Sequence, residues 1–297
     1  MLHSLCWLVL AFIFSSLAQA NAQSNDKQYP EDREYTSRDR GFRQYGAPSL
    51  HGTSTYALTY DDGPHETLTP QLLDVLKEFD VRATFFIITS RINAKTRPIL
   101  RRMLAEGHIL APHGEEHHNS NQITEAQFKD NLRTSILKLK AFYDEAGLPM
   151  RELYYRYPYA AYGARSDYHH MNALQSLSQE LFGDNCLQFA FWDVDTVDWL
   201  AGMTPEDILQ NLRAHEEGGA YWDFEAIRDA QGRTSYRKVQ RELTHPPRGG
   251  VVLMHDIHPR TLAGTRLFLQ HARDAGLALT TLPEIDEFRV LRECRFR

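Results

Sequence analysis

Short apolar runs alternate with amphipathic helical stretches along most of this 297-residue chain, and that alternation restricts its fold more than any other feature. Thr55-Tyr56-Ala57-Leu58 is β-prone, and Ala83 to Ile88 is a continuous apolar run bounded by charge. Ile109 to Ala111, Leu153 to Tyr155, Phe189 to Val194, Val251 to Met254 and Leu277 to Thr281 read as further strands. Between them lie helical patterns. Thr69 is the expected N-cap of the first, with Pro70 at its first position and Leu72, Leu73, Leu76 and Phe79 on one face. Pro98 to Glu106 forms a second, closed by Gly107. A capping box of Thr124 and Gln127 opens a third, with Phe128, Leu132, Ile136, Leu139 and Phe142 on one face and Gly147 at its end. Asp167 to Phe182, a stretch from Thr204-Pro205, and Leu262 to Ala275 complete the set. Apolar strands separated by helices imply an α/β chain with a parallel sheet, open or closed, whose sites form at the C-terminal ends of the strands.

The remainder of the sequence sets boundaries. Leu5 to Leu17 is almost wholly apolar, and Ala18-Gln19-Ala20 supplies small residues suited to signal-peptidase cleavage near Ala20 or Ala22. Residues 1–22 are therefore expected to be a signal peptide, and the mature chain to be periplasmic or secreted with no membrane span. An uncleaved anchor is the alternative, since no Lys or Arg precedes the run. Cys6 would leave with the peptide, so Cys186 and Cys294 remain, as a disulfide or as two buried thiols. Residues 23–48 are polar without apolar period and read as a flexible linker, placing the folded domain at 49–297. A net charge of -6 without a basic run argues against a nucleic-acid partner.

Five polar clusters sit at expected strand ends. Asp61-Asp62-Gly63-Pro64 follows the first strand; two carboxylates there can take different tasks, one on a metal and one on a proton. His113 and His117 are four apart, a spacing that on a helical turn lets two imidazoles reach one ion. The pattern lacks the Glu of a zinc-protease helix, because position 114 is Gly. Arg156 in Tyr155-Arg156-Tyr157-Pro158-Tyr159 can pair with a carboxylate. Trp192 to Trp199 carries Asp193, Asp195 and Asp198, and His255-Asp256 follows the apolar strand at Val251 to Met254. Taken singly, each also reads as an ordinary turn, a solvated acid or a core histidine.

Taken together and in order, they resemble the polysaccharide deacetylase family, carbohydrate esterases related to chitooligosaccharide and peptidoglycan deacetylases. The resemblance rests on Thr59 to Pro64, His113 to His117, Arg156 to Tyr159, Asp195 to Trp199 and Leu253 to His255, and spans about Ser54 to Thr281. It implies a deformed (β/α) barrel and removal of acetyl groups from N-acetylated sugars of a polysaccharide: peptidoglycan, a chitin-like polymer or an exopolysaccharide. By matched position, Asp62, His113 and His117 would hold a divalent metal, zinc first among candidates. Asp61 would be the general base, held by Arg156. His255 would be the general acid, oriented by Asp198. The Tyr159 N–H would face the oxyanion, and Trp199 and Leu253 would receive the acetyl methyl. Trp222 and Tyr162 are expected as stacking platforms from residue type alone. An O-acetyl esterase on a xylan-like glycan and a catalytically silent glycan-binding fold are the alternatives. The chain departs from the family pattern at Tyr60, Gly114, Tyr157 and Ala160, and in a polar insertion near 216–247.

Overall fold

The computed structural model describes residues 46–151, 153–162, 169–289 and 294–297. The expected signal peptide and nearly all of the expected linker lie outside them. Gly46 to Pro48 do not: Ala47 is fully buried, and its N–H donates to the Asp193 carboxylate. Asp193 also accepts from Val251 N–H, so the folded body begins at least two residues before Ser49.

Eight parallel strands form the barrel: β1 (Thr55–Asp61), β2 (Thr84–Ile87), β3 (Ile109–Pro112), β4 (Tyr154–Tyr155), β5 (Gln188–Phe189), β6 (Val194–Asp195), β9 (Gly250–His255) and β10 (Ala278–Thr280). One sheet runs β3-β2-β1-β9-β6. β1 lies at its centre because it is long enough to serve three partners: β10 along Thr55–Ala57, β2 along Thr59–Asp61, and β9 along its whole other edge. β4 and β5 pair separately. That pair reaches β3 through Arg156 N–H to the Pro112 carbonyl (3.5 Å), bending the arc toward closure. The result is a deformed (β/α) barrel.

Among the described residues, six α-helices surround it: α1 (Leu68–Glu78), α2 (Arg97–Ala105), α3 (Glu125–Glu145), α4 (His169–Phe182), α5 (Pro205–Glu217) and α6 (Pro259–Ala275). Leu72, Leu73 and Leu76 of α1 are buried on the expected face, as are Phe128, Leu132, Ile136 and Leu139 of α3. The capping box of Thr124 and Gln127 is formed. Cys186 and Cys294 are joined in a disulfide.

Three expectations change. The first helix starts at Leu68 with Thr67 as N-cap, because Thr69 is turned inward: its hydroxyl accepts from His65 N–H and donates to Asp256. The strand expected over Phe189 to Val194 is split into β5 and β6. Between them the carbonyls of Ala190 and Phe191 turn to the Arg156 guanidinium instead of continuing a ladder. The insertion near 216–247 is a hairpin, β7 (Gly219–Arg228) antiparallel to β8 (Thr234–Leu243).

β3 ends the main sheet, so its outer backbone groups need other partners. At Leu110 the Tyr143 hydroxyl of α3 supplies both, accepting from the N–H (3.1 Å) and donating to the carbonyl (3.3 Å). Tyr143→Phe leaves these buried groups without that partner and should lower stability by about 1–3 kcal/mol. Urea unfolding with an unchanged slope measures it; a midpoint equal to the wild type would contradict this reading of the edge.

Candidate active site

Strand register assembles the site. Asp61, the last residue of β1, is the register partner of His255 on β9, so the two side chains share one face at the C-terminal mouth. Thr59 and Leu253 pair one step deeper on that face, and Leu253 is buried there. The next residue, Asp62, takes a left-handed conformation (φ 77°), one of the few non-glycine types that does so readily. The chain turns there, and the two adjacent carboxylates part.

Asp61 faces Arg156. The guanidinium Nη1 donates to Asp61 Oδ1 (2.9 Å) and Thr59 Oγ1 (2.7 Å), while Nε and Nη2 donate to the Ala190 and Phe191 carbonyls. Arg156 is 0% exposed, and its guanidinium lies 4.1 Å from the Phe86 ring centroid. Burial pulls its pKa below the usual arginine value, and Asp61 opposes that pull.

Asp62 faces the histidines. His113 Nε2 and His117 Nε2 stand 3.4 and 3.2 Å from Asp62 Oδ1. The spacing of four does not act through a helix. His113 follows β3 directly, its N–H on the Ile87 carbonyl, and Gly114, at φ 96°, then swings the chain back so that His117 returns to the same point. A side chain at 114 would meet Asn131 Oδ1 at 2.8 Å and the Glu116 carbonyl at 2.9 Å, which accounts for glycine where the family often has Ser or Thr. Burial disfavours charge on Asp62, but the two imidazoles outweigh it and hold the carboxyl well below the usual range.

The three side chains fit a divalent cation. Their donor atoms lie within 4.8 Å of one another. Asp62 Oδ1 is buried without a hydrogen-bond partner. His113 Nδ1 contacts the Arg156 carbonyl at 2.7 Å; a carbonyl only accepts, so Nδ1 carries the proton and Nε2 offers its lone pair to the site.

His255 stands opposite. Its Nδ1 and its own N–H both meet the Asp198 carboxylate at 2.7 Å, and Thr261 donates to the same group. Burial acts against the imidazolium, but the Asp198 charge outweighs it and raises His255 to about 10. Asp198 is held below the usual range by His255 against its own burial. Asp195, three residues earlier, takes only the Val197 N–H, and burial pushes it up to about 6.

Tyr159 has left-handed backbone (φ 58°) and is 66% exposed, its ring 4.4 Å from that of His117. Trp199 is half-buried against Phe224 (4.8 Å) and Tyr236 (5.5 Å) of the hairpin. Tyr162 and Trp222 do not offer the expected platforms. Tyr162 is 6% exposed, packed on Phe191, and Trp222 lies under the Lys238 ammonium (4.0 Å). Tyr60 points away from the site toward Thr265 Oγ1 (3.1 Å).

Two supporting residues escape sequence reading. Thr59 shares the Arg156 Nη1 with Asp61. Asp256 lies buried behind the Gly63 turn, its Oδ2 accepting from Thr69. Their only signal is adjacency to motif residues.

A sequence model of the polysaccharide deacetylase family matches residues 51–175. That span takes in Asp61, Asp62, His113, His117 and Arg156. The chain is similar to a peptidoglycan-N-acetylglucosamine deacetylase of Listeria monocytogenes, 27% identical over 242 residues, covering 80% of this chain and 40% of that protein. It thus spans well under half of that relative's length. It is also similar to a chitooligosaccharide deacetylase of Bradyrhizobium, 33% identical over 160 residues, 53% of this chain and 63% of that one. A family 4 acetyl xylan esterase from Clostridium thermocellum, solved with a cobalt ion, shares the fold with a TM-score of 0.55 at 20% identity, covering 77% of this chain and 89% of that one. Among the described residues no helix is long and apolar enough to cross a membrane.

Two expectations follow from the geometry. Asp62→Ala, His113→Ala and His117→Ala should each lose bound divalent metal, read by metal analysis after dialysis; stoichiometric zinc in the His113→Ala/His117→Ala double variant would contradict the assignment. Asp198→Asn removes the charge that favours the imidazolium, so the His255 titration should fall from about 10 toward the usual histidine range. Nitrogen NMR of the imidazoles reads this directly, and an unmoved titration would reassign the support of His255.

Proposed function

We propose that the chain is a metal-dependent N-deacetylase that releases acetate from N-acetylated sugar residues of a polysaccharide. The observation that carries the proposal is the pairing of opposites around one site. One carboxylate is tied to a buried arginine, one imidazole is tied to a buried carboxylate, and a two-His, one-Asp donor set lies between. A divalent cation held by Asp62, His113 and His117 supplies Lewis-acid polarisation of the acetyl carbonyl. Zinc suits this nitrogen-and-oxygen donor set.

The side chains divide the proton transfers. Asp61 cannot turn away, because Arg156 is itself fixed by Thr59 and two backbone carbonyls. Its carboxylate takes a proton from the attacking water as the water oxygen bonds to the acetyl carbon. The Tyr159 N–H faces the oxygen on which negative charge develops. His255, protonated through Asp198, gives its proton to the sugar nitrogen as the carbon–nitrogen bond breaks. Acetate and a free amine result. Leu253 and Trp199 line the apolar side where the acetyl methyl sits.

Peptidoglycan, a chitin-like polymer and an exopolysaccharide are the substrates in view, and the relatives' names favour the first two. The likeness to an acetyl xylan esterase keeps O-acetyl groups as a second reading. Export through the apolar run at Leu5 to Leu17 would bring the enzyme to such polymers.

Purified protein, stripped of metal and reloaded with zinc, should release acetate from at least one N-acetylated glycan of a panel that also contains acetylated xylan. Asp61→Asn should abolish release while retaining metal. Acetate from xylan alone would favour the esterase, and none from any substrate would remove the proposal.

A further inference from the structure

Five large apolar side chains are clearly exposed among the described residues, and two of them are aromatic: Tyr159 and Tyr236. These two border the site on opposite sides. Tyr159 lies against His117 beside the metal donors. Tyr236, 50% exposed, lies edge-on to Trp199, the residue after Asp198, which holds His255.

The hairpin accounts for this placement. Tyr236 pairs with Ala226, so it shares a sheet face with Phe224 and Lys238. Phe224 of that face packs over the small apolar cluster of Val197, Leu200 and Met203. Tyr236 continues the face beyond the cluster, with Phe224 (5.5 Å) and Trp199 bracing its ring edge-on. A braced ring loses little freedom when another group stacks on it. Lys238 of that face is paired with Asp207, while Arg237 with Glu225 and Arg241 with Asp223 are paired on the other face. Arg228 continues the Tyr236 face beyond Ala226, so the surface on offer is an apolar ring with a guanidinium further along, which suits the C–H face of a pyranose.

We propose that Tyr236 is a substrate-binding platform that receives a neutral N-acetylated sugar at a distance from the reacting residue, so that a glycan chain lies across the site from Tyr159 to the hairpin. This rests on the deacetylase reading and adds to it that the enzyme favours chains over short oligomers.

Binding separates the two. Calorimetry on metal-loaded Asp61→Asn protein compares the dimer and the hexamer of N-acetylglucosamine. Adding Tyr236→Ala should weaken hexamer binding about three- to tenfold and move dimer binding by less than about twofold. Tyr236→Phe should keep both affinities, because the ring and not the hydroxyl is used. Equal weakening of dimer and hexamer, no weakening of either, loss in Tyr236→Phe, or no hexamer binding with Tyr236 intact each overturns the platform. So does self-association that Tyr236→Ala abolishes while sugar affinity holds, which would make the hairpin a contact between copies. Protein that binds the hexamer through Tyr236 yet releases no acetate with Asp61 restored refutes the proposed reaction and leaves the platform standing.

Discussion

The buried guanidinium of Arg156 is the joint on which the site depends. A fully buried arginine is costly unless its donors are met, and here they are distributed over two segments: Thr59 and Asp61 of β1, and the Ala190 and Phe191 carbonyls between β5 and β6. Its own carbonyl holds His113, which follows β3. One residue therefore fixes Asp61, His113 and the broken strand path on the far side of the barrel. Lysine could not replace it, because a single ammonium lacks the planar fork that spreads bonds in these directions.

The same barrel mouth holds carboxylates of opposite character, and partners rather than burial separate them. Asp195 and Asp198 are three residues apart, Asp198 fully buried and Asp195 partly so. Asp195 has only a backbone N–H and its carboxyl is pushed up to about 6. Asp198 has an imidazole, a hydroxyl and a backbone N–H, and stays below the usual range. Asp61 and His255 differ for a similar reason. Asp61 is placed beside a permanent cation, and His255 beside a buried anion that favours its imidazolium.

Most of the frame was legible because strand and helix periods are local properties. Apolar runs marked β1, β2, β3 and β9, and turn residues marked where polar clusters had to emerge. What failed was set by distant contacts. Thr69 has every local quality of an N-cap, yet Asp256, 187 residues on, draws its hydroxyl inward. Phe189 to Val194 has the composition of one strand, but Arg156 takes two of its carbonyls. The histidine spacing pointed to the right pair by the wrong geometry, since Gly114 turns the chain where a helix would have carried it. The β7–β8 hairpin stayed hidden because both strands are rich in charges that pair across the ribbon, which masks the alternation expected of a half-buried strand.

The Asp256 contact also bears on why Gly63 belongs to the first motif. A β-carbon on residue 63 would stand 2.2 to 2.6 Å from the Asp256 carboxylate, far inside contact distance. Asp256 cannot withdraw easily, because its N–H reaches the Asp61 carbonyl (3.3 Å) and its Oδ2 takes the Thr69 hydroxyl. The turn carrying Asp61 and Asp62 is thus clamped from behind by the residue that follows His255. Burial raises that carboxyl to about 7, which lessens the charge it would otherwise set behind Asp62. Asp61, Asp62 and His255 are therefore set on one shared backing as well as on neighbouring strands, and a shift of the β9 end would be felt by all three.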